Sequence, residues 1–128
     1  MTAARLEYQD QRRVAEWVRT RFDGPTLTDR RERAMRVLEE AMELAQAEGL
    51  GKMDAARLSE VVFSRPVGDP DQEAAGTAVT LLAWAAAANR SLIDLIHHEV
   101  ARIYALPIDH FRKRQAQKID LGVARHEI

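Results

Sequence analysis

Apolar residues recur along most of the chain at the three- and four-residue spacings that place them on one side of a helix. No stretch shows the strict alternation of apolar and polar residues that is typical of a strand. The spacing, together with capping and breaking residues, predicts helices over about 5–22, 29–48, 55–63, 70–88, 92–105 and 109–118. We therefore expect an all-α bundle of about five to six helices.

The second predicted helix has Asp29 as its N-cap and Gly49 as its stop, and it carries an acidic stripe. At 100° per residue, Glu39, Glu40 and Glu43 fall within one arc of about 100°. The opposite side is apolar and contains Met35, Val37, Leu38, Ala41, Met42, Leu44 and Ala45. This pattern predicts an amphipathic helix with clustered carboxylates.

Three carboxylates this close repel one another unless arginines offset them or a hard divalent cation binds among them. Arg36 stands three, four and seven residues before the acids, and Arg33 reaches Glu40 at helical spacing. Ordinary surface ion pairs are therefore one explanation of the stripe. A metal site is the other, and spacing alone leaves both open.

The fourth predicted helix begins at a strong start signal, with Asp69 as the cap and Pro70 in the first turn. This places Glu73 near the helix start. From Thr77 to Ala88 the helix is apolar nearly all round, which is typical of an element covered on every side. In a domain this small, a second copy of the chain covers such a helix most simply, so we expect a homo-oligomer.

Length and composition limit the function. The 128 residues predict a single domain over 1–128, with a core of about 29–118. A net charge of −1 gives no general attraction for nucleic acid or an anionic membrane, so neither is an expected partner. The absence of cysteine excludes disulfides and thiolate metal sites. The amino terminus lacks the apolar core of a signal peptide, so a cytoplasmic location is expected.

Other conspicuous residues have structural interpretations. Trp17 lies on the apolar side of the first helix, so it is interpreted as a core or subunit-interface residue. His97 and His98 are adjacent and diverge by about 100° on a helix, which makes them a poor metal pair. We expect surface roles for both histidines.

The order E-E-x-x-E on one helix, followed by an acid that opens a later helix, resembles the all-α nucleoside triphosphate pyrophosphohydrolases, the family of MazG-like proteins and dimeric dUTPases. In that family a later E-x-x-D completes the motif. The resemblance spans roughly residues 33–118. It rests on the segments V-L-E-E-A-M-E-L-A at 37–45, S-R-P-V-G-D-P at 64–70 and Q-E-A-A-G at 72–76.

The resemblance implies a MazG-like helical fold that cleaves a nucleoside or deoxynucleoside triphosphate between its α and β phosphates. It implies Mg²⁺, replaceable by Mn²⁺, held by Glu39, Glu40, Glu43 and Glu73. Glu39 and Glu40 are the expected catalytic residues, with Glu39 positioning or deprotonating the water. Cations that suit a triphosphate are Arg112, Lys113, Arg114, Lys118 and Arg65, although a solvated C-terminal helix explains the first four equally well.

The chain departs from the family pattern at Gly76, which stands where the aspartate of E-x-x-D is expected if Glu73 is its first acid. The glycine is compatible with a phage or bacterial MazG-like subgroup that retains activity, in which case the location is a bacterial or host cytoplasm. It is equally compatible with a weakened module that binds nucleotide or metal without hydrolysis. A purely structural helical oligomer is the third hypothesis.

Overall fold

The computed structural model describes residues 3–22 and 26–122. Across these two ranges the regular structure consists of six helices and no strand, which confirms the all-α class. The helices are α1 (Ala3–Arg21), α2 (Arg30–Ala47), α3 (Lys52–Phe63), α4 (Pro70–Ala87), α5 (Leu92–Ala105) and α6 (Ile108–Asp120). The predicted stop of the first helix at 23–25 and the carboxyl-terminal tail at 123–128 lie outside the described residues.

The chain divides into two compact units. The first comprises Met1–Arg36 and Arg90–Ile128, and the second comprises Val37–Asn89. The first unit therefore contains α1, α5, α6 and the start of α2, whereas the second contains the rest of α2 with α3 and α4. The single domain expected from the length stays a prediction.

The first unit has an aromatic core. Val18 of α1 and Phe22, the residue after this helix, are buried together with Phe111 of α6. The ring of Trp17 packs edge-on against Phe22 at 5.2 Å and against Phe111 at 5.0 Å between centroids. Edge-to-face contacts of this kind add to the stabilisation that comes from burial alone. The interpretation of Trp17 as a core residue is confirmed.

Polar contacts join α1 to α5. The Tyr104 hydroxyl donates to the carbonyl oxygen of Arg13 at 2.8 Å. The guanidinium groups of Arg13 and Arg21 lie 5.3 and 5.4 Å from the centroid of the Tyr104 ring. At these distances a cation is attracted to the negative face of the ring. The two helices are thus held by directional contacts in addition to apolar packing.

Glu32, in the first turn of α2, is buried, with 2% of its surface exposed. Its Oε1 atom accepts from Gln115 Nε2 at 2.9 Å and from Arg33 Nη2 at 3.0 Å. A buried carboxylate is strongly destabilising without such donors. Asp29 caps the same turn by accepting from the Glu32 backbone nitrogen at 3.2 Å, which confirms the predicted helix start.

Replacing Gln115 by leucine is expected to lower the free energy of unfolding by about 1.5–3 kcal/mol, because it removes a hydrogen bond to a buried charged group. Urea unfolding followed by circular dichroism measures the loss. The matched control is Gln117→Leu on the exposed side of the same helix, which is expected to change stability by less than about 0.5 kcal/mol. Equal effects of the two substitutions would show that the Glu32 contact contributes nothing.

Local signals set the helix ends in the second unit. After α2, Gly49 adopts a φ of +90°, and the Leu50 nitrogen donates back to the Ala45 carbonyl at 3.0 Å. This is the left-handed ending that favours glycine. Before α4, Asp69 Oδ2 accepts from the Gln72 nitrogen at 3.0 Å, with Pro70 in the first position. The predicted stop of α2 and the predicted start of α4 are both confirmed.

The third helix begins earlier than expected. The sequence placed its start after Asp54, but α3 begins at Lys52. The carboxylate of Asp54 accepts from the Gly51 backbone nitrogen at 2.9 Å. An acid at the third position of a helix accepts a hydrogen bond from the backbone nitrogen of the residue that precedes the helix. Asp54 was therefore wrongly placed ahead of the helix.

The second unit buries almost nothing. Of residues 37–89, all of which the structure describes, only Ala85 is buried. Val79 and Leu82 of α4 are 64% and 53% exposed, although the sequence predicted a helix covered on every side. Within the described part of the chain no single helix is long and apolar enough to cross a membrane, and only α4 and α5 together reach that length and apolarity.

Candidate functional site

The acidic stripe lies on the part of α2 that belongs to the second unit. Glu40 and Glu43 are exposed, and Glu39 is half-buried. Arg33 pairs with Glu32 at 3.0 Å instead of turning toward Glu40. Among residues 3–22 and 26–122, no arginine or lysine forms an ion pair with Glu40 or Glu43. Arginine pairing therefore does not account for these two carboxylates.

Glu73 lies in the first turn of α4, and the Asp69 cap fixes the start of that helix. The side chain of Glu73 is exposed and turns back over the preceding loop. A Cβ atom added to Gly68 would lie 2.5 Å from Glu73 Oε1, closer than real contacts allow. The missing side chain of Gly68 thus lets the Glu73 carboxylate lie against the loop.

The four predicted metal ligands provide the right donor atoms, since Mg²⁺ and Mn²⁺ prefer carboxylate oxygens. Their arrangement in a single chain is less favourable. Across the described residues, no three side chains of the ligating types His, Cys, Asp or Glu are grouped so that they could hold a metal ion. At Gly76, where the family motif has aspartate, an added Cβ would meet no atom within 4 Å. The structure thus leaves room for a Cβ atom at the position where the family motif has its aspartate.

Gly68→Ala is expected to displace the Glu73 carboxylate by rotation of its flexible side chain, with a change in stability below about 0.5 kcal/mol. If Glu73 is a ligand, Mn²⁺ binding measured by electron paramagnetic resonance should weaken. Gly76→Ala is the control, because the added methyl group meets nothing there. An unchanged Mn²⁺ affinity in Gly68→Ala, with binding retained in the control, would exclude a role for this orientation of Glu73.

The predicted phosphate-binding cations fall into two groups. Arg112 and Lys113 line an open surface groove of about 600 Å³ at the start of α6, together with Pro107, Asp109 and His110. Arg114 is exposed and Lys118 is half-buried, and neither lines the groove. Arg65 is exposed in the loop after α3 and belongs to the second unit. Of the five predicted cations, Arg112 and Lys113 lie together in this groove.

The chain matches no protein-family model, and comparison with curated proteins and with solved structures gives no significant match. The resemblance to MazG-like proteins therefore stays a prediction, carried by the three quoted segments.

The structure also shows two polar pairs that the sequence did not predict, one of which includes His97, for which only a surface role was expected. Asp10 is buried on α1, and its Oδ2 atom lies 2.8 Å from His97 Nε2 of α5. Glu32 and Gln115 form the second such pair. In both pairs the partners are far apart along the chain, so no local spacing reveals them.

Two residues that follow His97 on α5, Glu99 and Arg102, form an ion pair with each other. Arg102 donates to both carboxylate oxygens of Glu99, from Nε and from Nη2, at 2.7 Å each. This hydrogen bonding holds the pKa of Glu99 below its ordinary value. Glu99 therefore stays ionised as an exposed ion pair.

Proposed function

We propose that the protein is a metal-dependent nucleoside triphosphate pyrophosphohydrolase that converts an NTP or dNTP and water into the monophosphate and pyrophosphate. The supporting observation is the pair of exposed carboxylates Glu40 and Glu43, which have no cationic partner in the described part of the chain. Carboxylate oxygens are the ligands that a divalent cation prefers, and solvated charge is the alternative for these exposed side chains. A bound cation agrees with the role that the family resemblance gives to the stripe.

In this proposal Glu39, Glu40, Glu43 and Glu73 hold Mg²⁺ or Mn²⁺, which supplies Lewis-acid activation of water and phosphate when bound. The carboxylate of Glu39 accepts the proton of the attacking water, and Glu40 orients that water. Charge-assisted hydrogen bonds from arginine and lysine hold the triphosphate. Arg112 and Lys113 are the first candidates because they share a groove, followed by Arg114, Lys118 and Arg65.

The proposed substrate is a free nucleotide, and the proposed role is control of a cytoplasmic nucleotide pool. A net charge of −1 supports this choice over a nucleic acid, which proteins bind mainly through an excess of positive charge.

The test is phosphorus NMR of a panel of NTPs and dNTPs incubated with the protein and Mg²⁺ or Mn²⁺, and then with a chelator. We expect monophosphate and pyrophosphate to form only with metal, and the panel identifies the preferred base. Orthophosphate as the first product would mean cleavage at another bond and would overturn the proposed reaction. No turnover of any nucleotide with either metal would overturn the enzyme.

A second candidate, a binding module that does not hydrolyse its ligand, is favoured by Gly76. A Cβ atom added to this residue meets no atom within 4 Å, so Gly76→Asp is the substitution that rebuilds the E-x-x-D pattern. Metal-dependent nucleotide binding without turnover in the natural protein, and turnover gained in Gly76→Asp, would establish the weakened module. If neither protein binds or hydrolyses a nucleotide, the purely structural helical oligomer is the hypothesis that remains.

A further inference from the structure

Charge is divided unevenly between the two units of the chain. The first unit, Met1–Arg36 with Arg90–Ile128, contains 16 of the 19 lysines and arginines and 11 of the 20 acids, which gives a formal charge of +5. The second unit, Val37–Asn89, contains the other 3 basic and 9 acidic residues, which gives −6. The chain as a whole therefore offers no general attraction for a polyanion, but its first unit does.

Five exposed cations of the first unit lie on two helices that a buried hydrogen bond joins. The 2.9 Å bond from Gln115 to Glu32 holds the first turn of α2 beside α6. Arg31 and Arg114 directly precede these two residues, so each lies about 100° around its helix from the contact. We term the five cations the basic surface of the first unit: Arg30 and Arg31 of α2, and Arg112, Lys113 and Arg114 of α6.

The helix dipole does not explain where these cations lie. A cation stabilises a helix from its last turn, near the negative end of the dipole. Arg30 and Arg31 lie in the first turn of α2, and in α6 Lys118 is the basic residue of the last turn. Within the ranges that the structure describes, neither Arg30 nor Arg31 forms an ion pair. Two adjacent arginines at the positive end of a helix repel it and each other, and an anionic partner offsets this repulsion.

The phosphate backbone of a nucleic acid is the partner that fits this surface. Four of the five cations are arginines, whose planar guanidinium groups form paired hydrogen bonds to phosphate oxygens. A duplex carries one phosphate charge for about every 1.7 Å of its axis, so cations spread over two helices meet a phosphate in any register. An acidic protein provides such contacts only where its carboxylates lie at matching positions.

The aromatic residues favour a duplex over a single strand. Proteins hold single strands largely by stacking the bases on exposed aromatic rings. In the first unit Phe22 and Phe111 are buried, whereas Trp17 and Tyr104 are half-buried. No aromatic side chain that the structure describes in this unit is therefore exposed. A duplex needs no stacking ring, because its bases already stack on one another and its phosphates face outward.

We infer that the basic surface of the first unit binds the phosphate backbone of a duplex nucleic acid without reading its sequence. The inference does not rest on the proposed activity, because Arg30 and Arg31 have no part in that activity and its substrate is a free nucleotide. Failure of the nucleotide assay leaves duplex binding standing. Failure of duplex binding leaves the result of the nucleotide assay intact.

Fluorescence anisotropy of labelled DNA and RNA duplexes of mixed sequence, titrated with the natural protein, tests the inference. Between about 50 and 200 mM salt, we expect the logarithm of the affinity to fall with the logarithm of salt concentration with a slope of about −4 to −5, because each phosphate contact contributes about −0.9. The duplex that binds more tightly identifies the natural partner as DNA or RNA. Absence of binding to both at about 50 mM salt, or a slope near zero, would overturn the inference. Tighter binding of a single strand would also overturn it, and equal binding of polyglutamate would overturn it in favour of an acidic protein.

A double variant tests the surface itself. Arg30→Gln combined with Arg31→Gln removes two exposed charges that form no ion pair in the described residues, so helix content and nucleotide turnover should be unchanged. We expect duplex affinity at about 50 mM salt to fall at least tenfold, and the slope to become shallower by about 2.

The matched control is Lys52→Gln combined with Arg57→Gln, which removes the same charge from exposed positions of the second unit. Its duplex affinity and slope should equal those of the natural protein. Equal losses in the two double variants would show that total charge governs binding, and an unchanged slope in the α2 variant would exclude α2 from the contact. Either result would overturn the inference.

Discussion

Glu40→Gln is expected to abolish metal-dependent nucleotide hydrolysis, with a fall in turnover of at least about 100-fold. Replacing a residue that only hydrogen-bonds to a metal ligand already lowers metal affinity or activity by about 10–100-fold, and Glu40 is proposed to be a ligand itself. The substitution keeps the shape of the side chain and removes its charge. Glu40 is exposed and has no ion pair in the part of the chain that the structure describes, so the fold loses no contact. Initial rates with saturating metal measure the effect, and Glu43→Gln is expected to behave in the same way.

Stability should be unchanged, or slightly higher, because one of three neighbouring negative charges has been removed. Mn²⁺ binding, measured without nucleotide, should weaken in parallel with the loss of turnover. Glu16→Gln is the matched control, since it neutralises an exposed glutamate on α1 that no proposed role involves. Its metal binding and turnover should equal those of the natural protein.

The result separates the two explanations of the acidic stripe. If the stripe is only solvated charge, Glu40→Gln and Glu16→Gln will not differ in metal binding, and their stabilities will agree within about 0.5 kcal/mol. That outcome would remove the observation on which the proposed function rests. Loss of turnover with unchanged Mn²⁺ affinity would instead move Glu40 from metal binding to the orientation of water.

Phe111→Ala is expected to lower the free energy of unfolding by about 3–5 kcal/mol, the usual cost of removing a buried phenylalanine side chain. Phe111 is 5% exposed and packs with Val18 and Phe22 in the core of the first unit. The Trp17 ring loses its edge-to-face contact as well, so the near-ultraviolet circular dichroism of tryptophan should change. Urea unfolding at one fixed protein concentration gives the energy.

Leu121→Ala, next to the end of α6, is the control for this loss. Its side chain is largely exposed, so stability should change by less than about 0.5 kcal/mol. A loss below about 1 kcal/mol in Phe111→Ala would show that the aromatic cluster is not the main core of the first unit.

Much of the secondary structure could be predicted because its causes are local. The caps at Asp29 and Asp69 bond to backbone nitrogens three residues ahead, so the sequence shows both partners. The start of α3 was misplaced although it also depends on a local hydrogen bond. Asp54 lies in the first turn and accepts from the backbone nitrogen of Gly51, which precedes the helix, instead of capping the residues that follow it. The helical class and the amphipathic α2 follow from spacing for the same reason.

The candidate site was only partly predictable. The spacing places Glu39, Glu40 and Glu43 together, because residues three and four apart share a helix face. It does not show which partner each arginine chooses. Arg33 turns to Glu32, whose burial depends on Gln115 from a distant helix. Whether Arg33 pairs with Glu40 therefore depended on Glu32, a residue outside the acidic stripe.

The sequence by itself determined the all-helical class, most helix ends and the positions of the clustered acids, because each depends on residues within one or two turns. Only the tertiary structure decided that Glu32 and Asp10 are buried, that Arg112 and Lys113 share a groove, and that most of α4 is exposed in the single chain. Burial depends on which distant segments meet, and an apolar pattern shows that a helix needs a cover without showing where the cover comes from.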